Sequence, residues 1–150
     1  MADSAPAPQG RPGGIDPRGP RFAAGITSVV LAATVVTGSV WILAAQTAVF
    51  AIGSLFGVQR SPYAWLYRRL VRPRLGPPSE LEDPAPPRFA QTVGLTVAGI
   101  SLALALAGVG FAVEIGAGLA FVAAFLNASI NLCLGCRLYL LLARVRARAA

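Results

Sequence analysis

The chain has 150 residues, of which 55% are apolar and only 13% charged, about half the charged share of an ordinary soluble domain. All thirteen basic residues are arginine, and there is neither lysine nor histidine. These numbers argue against a water-soluble fold. The missing histidine also excludes a Ser-His-Asp triad, a Cys-His pair and any histidine-ligated metal site within one copy of the chain.

Residues 1–21 are rich in Pro, Gly and Ala and read as a disordered, solvated tail. This tail is longer than the short basic lead of a secretory signal peptide, the rival reading for the apolar stretch that follows. Between Arg21 and Arg60 no residue is charged, and between Arg88 and Arg137 the only charge is Glu114. A membrane-spanning helix needs about 20 apolar residues, so each run is about twice as long as one crossing requires. Fold-backs at Thr37-Gly38-Ser39 and Gly108-Val109-Gly110 divide them into four expected transmembrane helices, residues 22–38, 40–58, 89–107 and 112–136, the last continuing helically toward Leu142. The fold class is therefore an all-α membrane protein of two tandem helical hairpins, a parallel 2+2 repeat. Its parts are the tail 1–21, hairpin 22–58, a cytoplasmic loop 59–88, hairpin 89–142 and a basic tail 143–150.

With four crossings every arginine falls on one side, and positive charge collects on the cytoplasmic side. This predicts an inner-membrane, multi-pass protein with both termini in the cytoplasm. The net charge of +7 then reflects topology and contact with anionic headgroups rather than nucleic-acid binding.

The hairpins begin alike. Asp16-Pro17-Arg18-Gly19-Pro20-Arg21-Phe22-Ala23 matches Asp83-Pro84-Ala85-Pro86-Pro87-Arg88-Phe89-Ala90 at six of eight positions, and Leu66-Tyr67 with Arg72 parallels Leu138-Tyr139 with Arg144. Gly116, Ala120, Ala124 and Ala128 recur every four residues and predict a smooth contact ridge, as do Gly53 and Gly57. Within the loop, Ser61 can cap a short helix that has Pro62 at its first position. Trp65, Tyr67, Arg68 and Arg69 on that segment are expected as interfacial anchors at headgroup depth. Residues 77–87 read as a solvated linker.

Chemistry is concentrated in Cys133-Leu134-Gly135-Cys136. Two thiols three apart on a helix approach within disulfide reach, which makes a redox pair possible. The expected position at the carboxyl-terminal end of a helix opposes the thiolate that exchange needs, adjacent Arg137 and a local helix end at Gly135 would favour it, and the sequence leaves the net sign open; packing needs no thiolate. Two cysteines without histidine do not complete a metal site, and no cofactor is expected. Asn127 and Asn131 share one face of the fourth helix, as hydrogen-bonding glue or the lining of a polar site, with the cysteines roughly opposite. Glu114 is expected to be solvated at the outer turn.

The two hairpins, the Pro87-Arg88-Phe89-Ala90 lead-in, the Ser61-Pro62 loop with Leu66-Tyr67-Arg68, and the ending Asn127-x-x-x-Asn131-x-Cys133-x-Gly135-Cys136 resemble the bacterial membrane-protein family called domain of unknown function 4395, over about residues 15–146. The resemblance implies a last helix ending in Cys-x-Gly-Cys and brings no established activity. Arginine without lysine, together with abundant alanine, suits a GC-rich actinobacterial source. Two functions remain. One is an accessory or assembly component acting through partners or as a homo-oligomer. The other is a thiol–disulfide component in which Cys133 and Cys136 serve a cytoplasmic thioredoxin-like or sulfur-transfer protein.

Overall fold

A computed structural model describes residues 13–150, which form six α-helices: α1 Arg18–Thr37, α2 Val40–Phe56, α3 Pro62–Leu66, α4 Ala85–Leu106, α5 Ala112–Ile130 and α6 Leu134–Ala149. α3 runs on into a wide turn over Tyr67–Val71 and a tight one over Arg72–Arg74. No strand occurs among the described residues; one bridge joins Ile15 to Glu82 with paired 2.9 Å hydrogen bonds. Residues 1–12, including Arg11 and most of the expected tail, lie outside the described residues. Three helices, α1, α4 and α5, are long and apolar enough to cross a membrane. α2 is equally apolar but has 17 residues, about 25 Å at the helical rise.

The first fold-back occurs where the sequence places it. Gly38 takes the left-handed conformation that ends a helix, its amide returns to the Thr34 carbonyl, and the Ser39 hydroxyl caps α2 at Ile42. α1 and α4 both start earlier than expected. The Asp16 carboxylate accepts the Arg18 amide and the Asp83 carboxylate accepts the Ala85 amide, so helices form from Arg18 and Ala85 rather than from residues 22 and 89. Residues 77–87 are also more than a solvated linker, since Glu82 is tied to the buried Ile15.

The fourth expected helix requires the largest correction. It does not run from 112 to 136 but stops at Ile130, because Asn131 adopts a left-handed conformation at φ 57° and the amides of Asn131 and Leu132 both turn back to the Leu126 carbonyl. Asparagine tolerates that conformation better than most residues, and Cys133 then starts a new helix.

α1 packs chiefly along α5, and α2 chiefly along α4, so each of these helices finds its main partner in the other half of the chain. The core between them contains Leu31, Leu43, Phe50, Ala98, Val113 and Ala117. Small residues set the approach distances. Gly116 faces the Ser101 side chain with no space for a Cβ, and Gly94 lies under the Phe50 ring. Along the expected ridge Gly116 and Ala120 are buried, while Ala124 and Ala128 are half-buried. Gly57 belongs to no ridge; it ends α2 at φ 96°. Ser54 and Thr92 join α2 to α4 through a 2.7 Å hydroxyl hydrogen bond.

Two arginines hold the ends of the bundle. Arg21 on α1 donates to the Ala128 and Ser129 carbonyls at the end of α5, at 3.1 and 3.2 Å. Arg88 on α4 donates to the Ser54 and Leu55 carbonyls at the end of α2, at 2.7 and 2.9 Å. A cation at a helix carboxyl terminus satisfies carbonyls that have no partner within the helix and complements the helix dipole. The same contacts place the starts of α1 and α4 beside the ends of α5 and α2.

Candidate functional site

The helix break reverses the setting of the cysteines. Cys133 is the residue that caps α6, with extended backbone geometry, and Cys136 stands three residues on in the first helical turn. The Cys136 amide donates to the Cys133 sulfur at 3.2 Å, and the pair is joined as a disulfide with Cα atoms 5.2 Å apart. A sulfur at this position occupies the site where serine or aspartate caps a helix, facing amides that lack helical partners. Both the amide and the positive end of the dipole favour a thiolate at Cys133 once the disulfide opens. The sequence-based placement at a carboxyl-terminal end set the dipole against the thiolate and Arg137 in its favour, and left the net sign open.

Gly135 holds this turn against the bundle. A Cβ built on it would lie 2.6 Å from both Cα and Cβ of Ala90, so the first turn of α6 rests on the α4 backbone at a distance that only glycine permits. One turn later Tyr139 packs its ring on Phe89 with centroids 5.7 Å apart. Both cysteines are half-buried and line a cavity of about 500 Å³ that extends between α1, α2, α4 and α5. Asn127 and Asn131 line the same cavity. The asparagines do not share a helix face opposite the thiols, because Asn131 has left the helix and is exposed; the break gathers all four side chains around one space.

The profile of the family described as domain of unknown function DUF4395 matches residues 15–144, from the Ile15 bridge into α6. The chain belongs to this family. No curated protein and no solved structure matches it.

Ser61 and Tyr67 line this DUF4395 cavity too, the first placed as expected and the second not. Ser61 caps α3 by accepting the Ala64 amide at 3.2 Å, and it is buried. Tyr67, expected as an interfacial anchor at headgroup depth, is only 4% exposed; its ring lies over Gly19 and 5.7 Å from the Phe22 ring, and its hydroxyl donates to Asp16 at 2.9 Å. Burial alone would raise the Asp16 carboxyl, but hydrogen bonds from Arg18 and Tyr67 outweigh it and hold the group below its ordinary value. Burial, and then the same carboxylate, push the Tyr67 hydroxyl up. Trp65 is exposed with the Arg69 guanidinium 5.6 Å from its ring, and Arg68 donates to the Gln59 carbonyl. Trp65 and Arg69 lie outside the lining of the cysteine cavity, whereas Arg68 is part of it.

Several residues of structural consequence have no special reading in the sequence. Arg21 and Arg88 figure there as topology charges and as part of the duplicated lead-in, with no contact assigned to them. Gln46 reads as one polar residue in an apolar run, yet it is fully buried, accepts the Tyr63 hydroxyl at 2.7 Å and leaves its amide nitrogen without a protein partner. The Pro-Arg-Phe-Ala duplication was a usable signal for the arginines. Glu114 is half-buried rather than fully solvated, with its carboxylate against the Gly38 turn.

Proposed function

We propose that this protein is a membrane thiol–disulfide component in which Cys133 is the exchanging sulfur and Cys136 the resolving one. The carrying observation is the placement of Cys133 as the α6 cap, with Cys136 donating to its sulfur, at the edge of a cavity. Exchange then proceeds by attack of a partner thiolate on the Cys133 sulfur. The new sulfur–sulfur bond forms as the Cys133–Cys136 bond breaks, and Cys136 leaves as the thiolate. A second thiol of the partner releases the protein as its dithiol. The partner class is a cytoplasmic thioredoxin-like or sulfur-transfer protein.

The topology in this proposal is four crossings with both termini at the cytoplasmic face of the inner membrane. Its support is the length of α1, α4 and α5, the apolar character of α2, which runs alongside α4, and the arginine contacts that bring helix ends of both halves to one end of the bundle. The reading of the chain as two repeated units draws support from three pairs of like contacts. Arg21 and Arg88 each close a helix of the other half, Phe22–Tyr67 and Phe89–Tyr139 make equivalent ring pairs, and Ser61 and Cys133 are equivalent caps.

Trapping tests the exchange. Full-length Cys136→Ser protein in native membranes should accumulate a reductant-sensitive mixed disulfide through Cys133, and Cys133→Ser should not. If neither cysteine reacts with a small disulfide in folded membranes, yet both react after denaturation, the pair serves packing and the proposal is wrong.

A further inference from the structure

A disulfide that changes state needs a second party for its electrons, and the cavity beside Cys133 and Cys136 indicates which chemical class supplies it. The space is about 500 Å³, far larger than a buried water site, and it passes from the sulfur pair into the interior of the bundle. Part of its wall is Ala23, Ala123, Gly94 and Val97, which offer neither charge nor nucleophile, while Asp16, Arg21, Arg68, Arg72 and Glu82 line other parts. Leu119 lines it and is also 63% exposed on α5, one of the helices long and apolar enough to cross a membrane. The amides of Asn127 and Gln91 also line it and are available to an oxygen acceptor, since neither side chain is fully buried. A cavity with an apolar stretch of wall on membrane-length helices, and with amide donors and a disulfide in its lining, fits a flat, lipid-soluble carbonyl compound that carries two electrons.

We propose that this cavity is a binding site for a lipid-soluble quinone, and that the dithiol form of Cys133 and Cys136 is oxidised there. This rests on the redox reading of the pair given above. Both S–H bonds break and one S–S bond forms; the two electrons and two protons pass to the quinone oxygens, giving the quinol. Exchange with the partner's dithiol then restores the dithiol of this protein, so that the net reaction turns partner dithiol and quinone into partner disulfide and quinol.

The test uses the full-length protein in lipid nanodiscs, reduced and freed of reductant, with a naphthoquinone bearing a two-isoprene tail. Thiol loss is followed by maleimide gel shift and quinol formation by absorbance, and a water-soluble aromatic disulfide serves as the comparison oxidant. The expected result is one quinol formed per thiol pair lost. Ala123→Phe or Ala23→Phe, which fill the cavity, should slow the quinone reaction at least tenfold and leave the aromatic disulfide reaction within twofold. An unreactive dimethyl ether of the quinol should compete with the quinone alone, which requires no variant to fold. If the aromatic disulfide oxidises the pair but the quinone does not, or if neither filling nor competition affects the quinone rate, the quinone site is refuted while the redox reading stands. If neither oxidant closes the pair in folded protein, the redox reading fails and this proposal fails with it.

Discussion

Substituting Gly135 by alanine probes the contact that positions the cysteine turn. The added Cβ would sit 2.6 Å from Cα and Cβ of Ala90, whereas carbon atoms in good contact are about 3.5–4.0 Å apart, so α6 must move by about 1 Å. A backbone carbon cannot rotate away, so the strain falls on the seating of α6 against α4. Overpacking of this kind costs about 1–3 kcal/mol, and a displacement near 1 Å at a reacting group can slow its chemistry on the order of a hundredfold. Gly135→Ala should therefore lower the thermal midpoint in nanodiscs and slow mixed-disulfide formation at Cys133. Ala90→Gly removes one of the two clashing atoms and should restore only part of the loss. Gly118→Ala is the matched control, because nothing lies within 4 Å of the Cβ it adds and alanine gains about 1 kcal/mol in a helix. Gly135→Ala with wild-type stability and exchange rate would refute the account of how the site is held.

Other contacts lead to equally direct expectations. Gly116→Ala places its Cβ on the Ser101 side chain and should destabilise by about 1–3 kcal/mol; Ser101→Gly in the same chain should recover most of it, because the next atom, the Val97 carbonyl oxygen, is 3.7 Å away. Arg88→Ala frees two carbonyls at the end of α2 and should cost about 1–2 kcal/mol by thermal unfolding in detergent, with Arg88→Lys recovering less than half, since its ammonium lacks the planar fork. Asp16 is held below its ordinary value of 3.8, so its clamp stabilises the fold above that value and is lost as pH falls through the lower folded value. Unfolding midpoints of the wild type should drop as pH falls below about 4, and Asp16→Asn should remove that drop. Tyr63→Phe leaves the buried Gln46 amide with less to bond, whereas Tyr63→Phe with Gln46→Leu should fall well short of the summed single losses in a double-mutant cycle.

Much of the helical order was legible, because charge-free runs and Gly-Ser turns are direct consequences of bilayer length and backbone sterics. Thr37-Gly38-Ser39 identified its turn, and Ser61-Pro62 identified the start of α3. What stayed hidden depended on long-range contacts. Nothing local distinguishes Tyr67 from Trp65 as the buried ring, since the choice is made by Gly19, Phe22 and Asp16, about 50 residues away. The break at Asn131 was missed for a different reason. Leu-rich sequence on both sides satisfies a helical pattern, and the left-handed residue, the Leu126 carbonyl and the Cys133 cap must act together to end one helix and begin another. Asparagine followed two residues later by a capping side chain was the available signal.

That break decides what chemistry the cysteine pair can do. On an unbroken helix the thiols would stand near a carboxyl terminus, among carbonyls and the negative end of the dipole, and an anion there is disfavoured by about 0.3–1 kcal/mol. With α6 beginning at Leu134, the same dipole favours an anion at Cys133 by a similar amount, and the Cys136 amide adds a charge-assisted hydrogen bond once the sulfur is a thiolate. The two settings therefore act on an anion at this sulfur in opposite directions. Ser61 makes the same cap on α3 with an oxygen that has no redox chemistry. A capping geometry that serves structure at Ser61 thus presents, at Cys133, a sulfur favoured as an anion and held beside a second sulfur.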